Sequence, residues 1–574
     1  MSEASNSGKM SLKDMLVRFS ILLAAAALVG FGGACSGVMK TPQAVACAVF
    51  ISIIFGTLFF WGFRLAIAFL GLAVLIFSKS LDIPTFVSSS SLEVIMFLVG
   101  MMIIVGALRD LGFFTWIVQL IVSMPKLSGR KFIFVTATAS ALLACAVDEV
   151  TSIIFISTLI FQVCDRLKLN PTPYILIAVL ATNIGSAGTM MGNPVGIFIG
   201  TKGQLTFGDF MIWSFPLMLT SLFATIGLLL WYFRKDLAKF DVSLEARLAR
   251  GLSIAPVVKV PYMKGLILIV LTVLAIASHH QTEEFLGLEK NSVLLVMPLI
   301  CAGIVMIIKP DRARYYVEKE VDWWTLIFFM LLFAVAGTLE HTHVDQVLAD
   351  GFSKIAGKDI TTLVPFIFTV SSFGSAFVDN VIFVAAFSPV IEQLGVTIKD
   401  LPLWWALLFG ACFGGNITMI GSTANIVALG MLEKHGGSQI TFFQWFKIGL
   451  LCTVVSGLIA IFALLFMAPM MPDHKITFDK LAANSGYVPG VEEFSGELIG
   501  SLVKEDNTVY LVGRLNNKDE KGNVKEAKIR VELPANIQFV EGKVRVSGML
   551  SADKANAEYP YMMKVKKLDS LNKD

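Results

Sequence analysis

Apolar runs of about 20 residues follow one another along most of this chain, and they leave it few ways to fold. In lipid every backbone N–H and C=O must find its partner inside the protein, so such runs become helices. With 574 residues, 56% of them hydrophobic and only 16% charged, the sequence reads as an all-α polytopic membrane protein. Plain spans are expected at roughly 16–34, 44–60, 64–78, 92–108, 210–233, 265–278, 292–308, 323–339 and 447–468, judged by the length needed to cross the hydrocarbon core. Four further apolar regions are interrupted. Regions 132–164 and 361–392 carry acids in mid-run, and 174–200 and 402–430 carry Gly and Asn clusters. Together they predict about 11 transmembrane helices.

The mid-run acids are Asp148 and Glu149 in the first region and Asp379, followed by Asn380, in the second. A carboxylate at membrane depth is costly and marks a cavity, a partner or an ion path. A shift of 231 residues superposes Phe97 on Phe328, Gly106 on Gly337, Ser140 on Ser371, Asp148 on Asp379 and Ser157 on Ser388 without a gap. The chain thus contains an internal repeat. Basic residues near helix ends set orientation, and Arg234–Lys264, with seven Lys or Arg against three acids, belongs on the cytoplasmic side. That placement inverts the two repeats relative to each other, as in many secondary transporters. It also leaves the N-terminus cytoplasmic and the polar tail periplasmic or extracellular.

Each acid-bearing segment is followed by a Gly/Asn-rich break, Thr182–Pro194 and Gly414–Asn425. Gly and Pro at this density unwind a helix, and unwound backbone at membrane depth lines a cavity or lies buried in protein. Freed carbonyls with Asn and Thr oxygens are hard ligands for a small cation. The expected ion- and proton-binding set is Asp148, Glu149, Thr151, Asn183, Thr189, Asn193, Asp379, Asn380, Asn416, Thr418 and Asn425. A buried carboxyl favours its protonated form and a bound cation the ionised form, so these acids can exchange one for the other. Set against this, Asp148 and Asp379 could serve only as helix caps, the Asn residues could satisfy broken backbone, and Thr189 and Thr418 could bond their own helix carbonyls.

Other features carry less. The seven cysteines show no CxxC spacing, so neither a disulfide framework nor a zinc site is expected. His279, His280, His341 and His343 read as solvated loop residues. Trp323–Trp324 and Trp404–Trp405 read as interfacial anchors, and Arg64 reads as a helix-end residue that snorkels. The net charge of +3 is dispersed and gives no reason to propose nucleic acid as a partner. No phosphate-cradling Gly-Lys-Ser/Thr loop suggests an NTP-driven pump, and no enzyme activity is expected. The run Leu16–Ala34 follows Lys9, Lys13 and Arg18, but its length and the lack of an Ala-x-Ala site favour a retained helix. After Met470 the composition changes, and β-rich segments near 496–504, 508–515, 526–533, 543–550 and 560–567 predict a small OB-like barrel. The expected domains are 1–40, 41–233 (first repeat), 234–264 (cytoplasmic linker), 265–468 (second repeat) and 469–574 (soluble β domain).

At Asp148–Thr151 with Asn183–Pro194, and at Asp379–Asn380 with Asn416–Asn425, the chain resembles the ion-transporter superfamily over roughly residues 40–468. The nearest branch holds arsenite permeases, NhaD-type sodium/proton antiporters and the P protein, and the dicarboxylate/sodium symporters are more distant. The resemblance implies re-entrant hairpins, a homodimer and an elevator-type movement in the cell (inner) membrane. It implies no cofactor beyond Na⁺. Two departures stand out: the family's Asp-Asn at the first tip is Asp148-Glu149 here, and its Gly-Asp-Pro-Pro-Asn loop is Gly192-Asn193-Pro194-Val195-Gly196. Glu149 is therefore expected to supply the carboxylate that position 193 lacks. The expected function is secondary-active Na⁺/H⁺ antiport, with Na⁺- or H⁺-coupled transport of an anion or metalloid, a carboxylate or arsenite, as the alternative.

Overall fold

The computed structural model describes residues 12–35, 39–251, 260–288, 291–357, 359–395, 398–436 and 440–471, and within the tail 493–505, 508–518, 524–534, 539, 542–552 and 561–570. Among the described residues nine helices are long and apolar enough to cross a membrane. The chain opens with α1 (Leu12–Cys35), α2 (Thr41–Phe59), α3 (Arg64–Phe77), the short α4 (Ile83–Ser89) and α5 (Leu92–Asp110). Next come the amphipathic α6 (Phe113–Val122) and two arms, α7 (Gly129–Ala146) and α8 (Glu149–Leu167), that form the first hairpin. The first broken helix is α9 (Thr172–Gly185) and α10 (Pro194–Lys202). A single turn, α11 (Phe207–Asp209), then leads through a π-helical stretch into α12 (Phe215–Tyr232).

The first part of the basic segment is helical, as α13 (Arg234–Leu248). The second half runs through α14 (Met263–Ala277), α15 (His279–Leu286), α16 (Ser292–Ile308), α17 (Pro310–Tyr315) and a π-turn at Tyr316–Glu320 to α18 (Trp323–His341) and α19 (Val344–Ala356). Its hairpin is α20 (Ile360–Phe377) and α21 (Asn380–Leu394). Its broken helix is α22 (Leu401–Gly414) and α23 (Thr423–Lys434), and α24 (Phe442–Met467) completes it. The 231-residue register carries the bounds of α5 onto those of α18 and the bounds of α7 onto those of α20. The repeat read from single residues is therefore also a repeat of whole elements.

Three expectations change. Trp404 and Trp405 are fully buried in α22, so they are core residues of the broken helix and not interfacial anchors. An aromatic pair beside Pro at a helix start looks like an anchor until its neighbours are known. His279 is buried as well, with Nδ1 2.8 Å from the Ile276 carbonyl, because α15 folds back on α16. Arg64 does not snorkel: it opens α3, is buried, and donates from Nη2 to Thr325 Oγ1 at 3.0 Å. Trp323 and Trp324 are exposed, as expected of anchors.

In the tail five strands, β1 (Glu493–Glu505), β2 (Thr508–Lys518), β3 (Val524–Glu532), β4 (Gly542–Ala552) and β5 (Tyr561–Ser570), close a barrel in the order β1-β2-β3-β5-β4. Every pairing is antiparallel except β3 with β5. This is the OB-like arrangement. Alternate residues point inward, which is why Ile529 and Val531, and Val544 and Val546, share its core with Leu498 and Leu502.

Candidate functional site

The chain reverses at each hairpin tip because a short polar residue caps the next helix. Asp148 Oδ1 accepts the Thr151 amide at 2.8 Å and starts α8, and Asp379 Oδ1 accepts the Val381 amide at 3.0 Å and starts α21. The broken helices restart in the same way. Asn193 Oδ1 accepts the Gly196 amide at 2.8 Å for α10, and Ser422 Oγ accepts the Ala424 amide at 3.1 Å for α23. Four helices thus begin where the two halves meet, and their first-turn N–H groups cannot bond within the helix.

Threonine and glycine hold each broken helix against its hairpin. Thr189 donates to the Cys145 carbonyl at 2.5 Å, and Thr418, its equivalent, donates to the Ala376 carbonyl. Gly185 and Gly414 lie so close to the backbones of Ala141 and Ser372 that a Cβ at either would collide with main-chain atoms. These equivalents are offset by 229 residues and not 231. The two-residue difference falls between the hairpin tip and the break, and the contacts on either side of it are the same in both halves.

Between the tips and a wall made by α5 and α18 lies a cavity of about 330 Å³. Asp148, Glu149, Thr151 and Asn193 reach it from the first half, and Asn380 and Thr423 from the second. Arg109, Glu320, Asp322 and Thr325 face them from the wall. Glu149 is buried and takes a hydrogen bond from Ser422 at 3.3 Å. Asp379 stands just behind, with Oδ2 accepting from Thr423 Oγ1 at 3.0 Å. Ser186 neighbours both Glu149 and Asn193, and Asn193 Nδ2 donates to its hydroxyl at 3.0 Å.

The expected site residues therefore fall into two groups. Asp148, Glu149, Thr151, Asn193 and Asn380 line the cavity, with Asp379 one hydrogen bond away. Asn183, Asn416 and Asn425 are bonded to one another instead: Asn183 Nδ2 donates to both Oδ1 atoms at 2.8 Å, and Asn425 Nδ2 donates to the Gly415 and Thr418 carbonyls. Thr189 and Thr418 commit their hydroxyls to the crossing carbonyls. Sequence reading missed Ser422 and Thr423, although both stand in the second break. It also missed Arg109 and Glu320, whose signal was a charge in the last turn of an apolar helix and another just before the next. Among the described residues no three His, Cys, Asp or Glu side chains stand close enough to share a metal ion. A cation here would be held by one or two carboxylates and neutral oxygens.

Residues 50–410, a span holding both hairpins and the first broken helix, match the citrate transporter family, CitMHS. An uncharacterised transporter of Mycobacterium tuberculosis is 33% identical over 374 residues, covering 63% of this chain and 83% of the relative. The P protein of Homo sapiens is 25% identical over 436 residues, covering 63% of this chain and 52% of that protein. The crystal structure of the Alcanivorax borkumensis YdaH transporter superposes with a TM-score of 0.47 at 16% identity, over 70% of this chain and 89% of that one. The chain is a multi-pass membrane transporter and belongs to the citrate transporter family.

Proposed function

We propose that the protein is a secondary-active transporter that carries a small carboxylate, with citrate the first to test, coupled to Na⁺ or H⁺. The observation that carries this reading is the convergence of the capped N-termini of α8, α10, α21 and α23 on one cavity. Each helix start carries roughly half a positive charge, and helix starts of discontinuous membrane helices suit anionic substrate groups. The cavity volume of about 330 Å³ lies at the small-ligand end of the usual range, about 300–1,000 Å³. Asp148, Glu149 and Asp379 would repel a bare anion. Bound Na⁺ or protons at these acids would offset that repulsion, which makes binding of the anion depend on the driving ion. Thr151, Asn193 and Asn380 would supply neutral oxygens.

A second reading, cation/proton antiport, is favoured by one observation: the cavity's basic residue, Arg109, is already paired with Glu320 at 2.9 Å, which leaves the tip acids dominant. In either case the hairpins and broken helices would move as a body along the α5/α18 wall, in a dimer with cytoplasmic N-termini and the barrel on the far side.

The purified full chain in proteoliposomes distinguishes the readings. Labelled citrate, succinate and arsenite are offered under inward Na⁺ or H⁺ gradients, and a pH-sensitive dye follows proton flux. Gradient-driven carboxylate uptake is the expected result. Dye dequenching by Na⁺, Li⁺ or K⁺ without carboxylate uptake would establish antiport, and no flux of any kind would reject both.

A further inference from the structure

The segment that joins the two halves begins as a helix fastened to the base of the first hairpin. The span that holds α12 ends at Tyr232, with Trp231 and Tyr232 exposed in its last turn, and α13 follows at once. Leu237, Phe240 and Leu244 recur at helical spacing and are buried, on the face that packs on α7 and α8. Phe240 stacks on Phe132, one turn inside α7, with ring centres 5.1 Å apart. Three polar contacts add to this. Asp241 Oδ1 accepts the Gly129 amide at 2.6 Å, the Tyr174 hydroxyl donates to the Asp236 carbonyl at 3.0 Å, and Arg247 Nη1 donates to the Arg166 carbonyl at 2.9 Å. Gly129, Arg166 and Tyr174 stand at the ends of α7, α8 and α9. α13 therefore runs along the end of the bundle at the depth of the first turn of α7, where a span meets the lipid headgroups.

Its other face carries Arg234, Lys235, Lys239 and Arg250, all exposed, with Val242, 68% exposed, among them. The Arg234 guanidinium lies over the Trp231 ring at 5.7 Å, which holds it at the level where aromatic residues meet headgroups. Acids do not balance this surface. The stretches that meet there are 126–131, 165–168, 234–250 and 433–435, and they hold eleven Lys or Arg against five Asp or Glu. Three of the five acids are engaged: Asp236 with Lys239 at 3.1 Å, Asp241 with the Gly129 amide, and Asp165 with His435 at 2.8 Å. Nor does the fold demand the charge. The 231-residue offset carries 126–131 onto 357–362, which holds one lysine and one acid.

We infer that the outer face of α13 docks on the anionic headgroups of the bilayer and so holds the base of the first hairpin at the membrane surface. Its basic residues complement phosphate-bearing lipids, each strengthening attraction to an anionic surface about fivefold, and Val242 adds apolar contact. The contacts to Gly129, Tyr174 and Arg166 pass that restraint to α7, α9 and α8. The inference does not depend on what is transported.

The test is amide exchange of the full-length protein in nanodiscs of phosphatidylcholine or of phosphatidylglycerol. In phosphatidylglycerol, exchange over 234–250 and at Gly129 should slow by at least about fivefold, the scale of one cation at the surface. The quadruple variant Arg234→Gln, Lys235→Gln, Lys239→Gln, Arg250→Gln should lose the difference. Lys354→Gln, an exposed lysine on α19, should keep it. In the wild type, salt at about 1 M, where the screening length falls to about 3 Å, should also remove it, which tests the inference even if the quadruple variant does not fold. Equal exchange in the two lipids, or a difference that survives both the salt and the four substitutions, would overturn the docking. Equal slowing by inorganic phosphate in phosphatidylcholine discs would place the anion in solution and overturn it too.

Discussion

Glu149 and Asn193, the two positions expected from the resemblance to have exchanged acid and amide, both neighbour Ser186. A carboxylate on either side of one hydroxyl can serve the same ion. Glu149→Asn alone should lower uptake by more than tenfold, and adding Asn193→Asp should recover a measurable part of it. Uptake assays that find no recovery in a double variant of normal fold would sink the exchange. At Gly185 the constraint is steric: Ala would press its Cβ on the Ala141 backbone, with an expected cost of about 1–3 kcal/mol. Gly430→Ala, inside α23, meets nothing within 4 Å and should hold or slightly raise the melting temperature through the better helix propensity of Ala, which makes it the control. Some of this was legible in the residues themselves. An acid inside an apolar run announces a tip, and Asn and Gly in a break announce unwinding. Which Asn lines the cavity and which only ties helices together could not be read, because Asn183 and Asn193 have the same local chemistry and differ only in what lies across from them.

Among the elements, the long spans follow directly from apolar length, and their bounds fall within a few residues of those expected. The amphipathic α13 and α19 did not stand out, because a helix lying beside a bundle needs only one apolar stripe and has no run to betray it, and the apolar run of α6 is ten residues, too short to read as a span. Trp404 and Trp405 misled for a related reason: aromatic residues at a helix start look alike whether they meet headgroups or another helix. Caps define where these elements begin, and α20 gives a test outside the bilayer core. Asp359 accepts the Thr361 amide at 3.2 Å, and that bond holds its carboxyl below the usual range. The folded value is depressed, so the cap is fully present above the ordinary carboxylate range and is lost as pH falls through the lowered value. Amide exchange in the first turn of α20 should rise at acid pH in the wild type, and in Asp359→Ala it should already be raised at neutral pH.

For the whole molecule, the tail is a closed barrel with its own apolar core, whereas the cavity, its lining and Arg64 all lie within residues 64–427. A chain ending after Met471 should therefore insert and take up substrate at near the full-length rate. A loss of transport with normal membrane insertion would give the barrel a working part in the cycle.

The three asparagines of the broken helices bear on the same question of moving parts. Asn183 belongs to the first half, Asn416 and Asn425 to the second, and their buried side chains are bonded to one another. Asn183→Ala would leave two buried acceptor oxygens without that donor, at about 1–3 kcal/mol each, and a melting curve should show the loss. In the proposed transport cycle a knot of this kind would remove a degree of freedom: the two broken helices would advance together, with one travelling coordinate in place of two. An ion loading one half would then set the position of both.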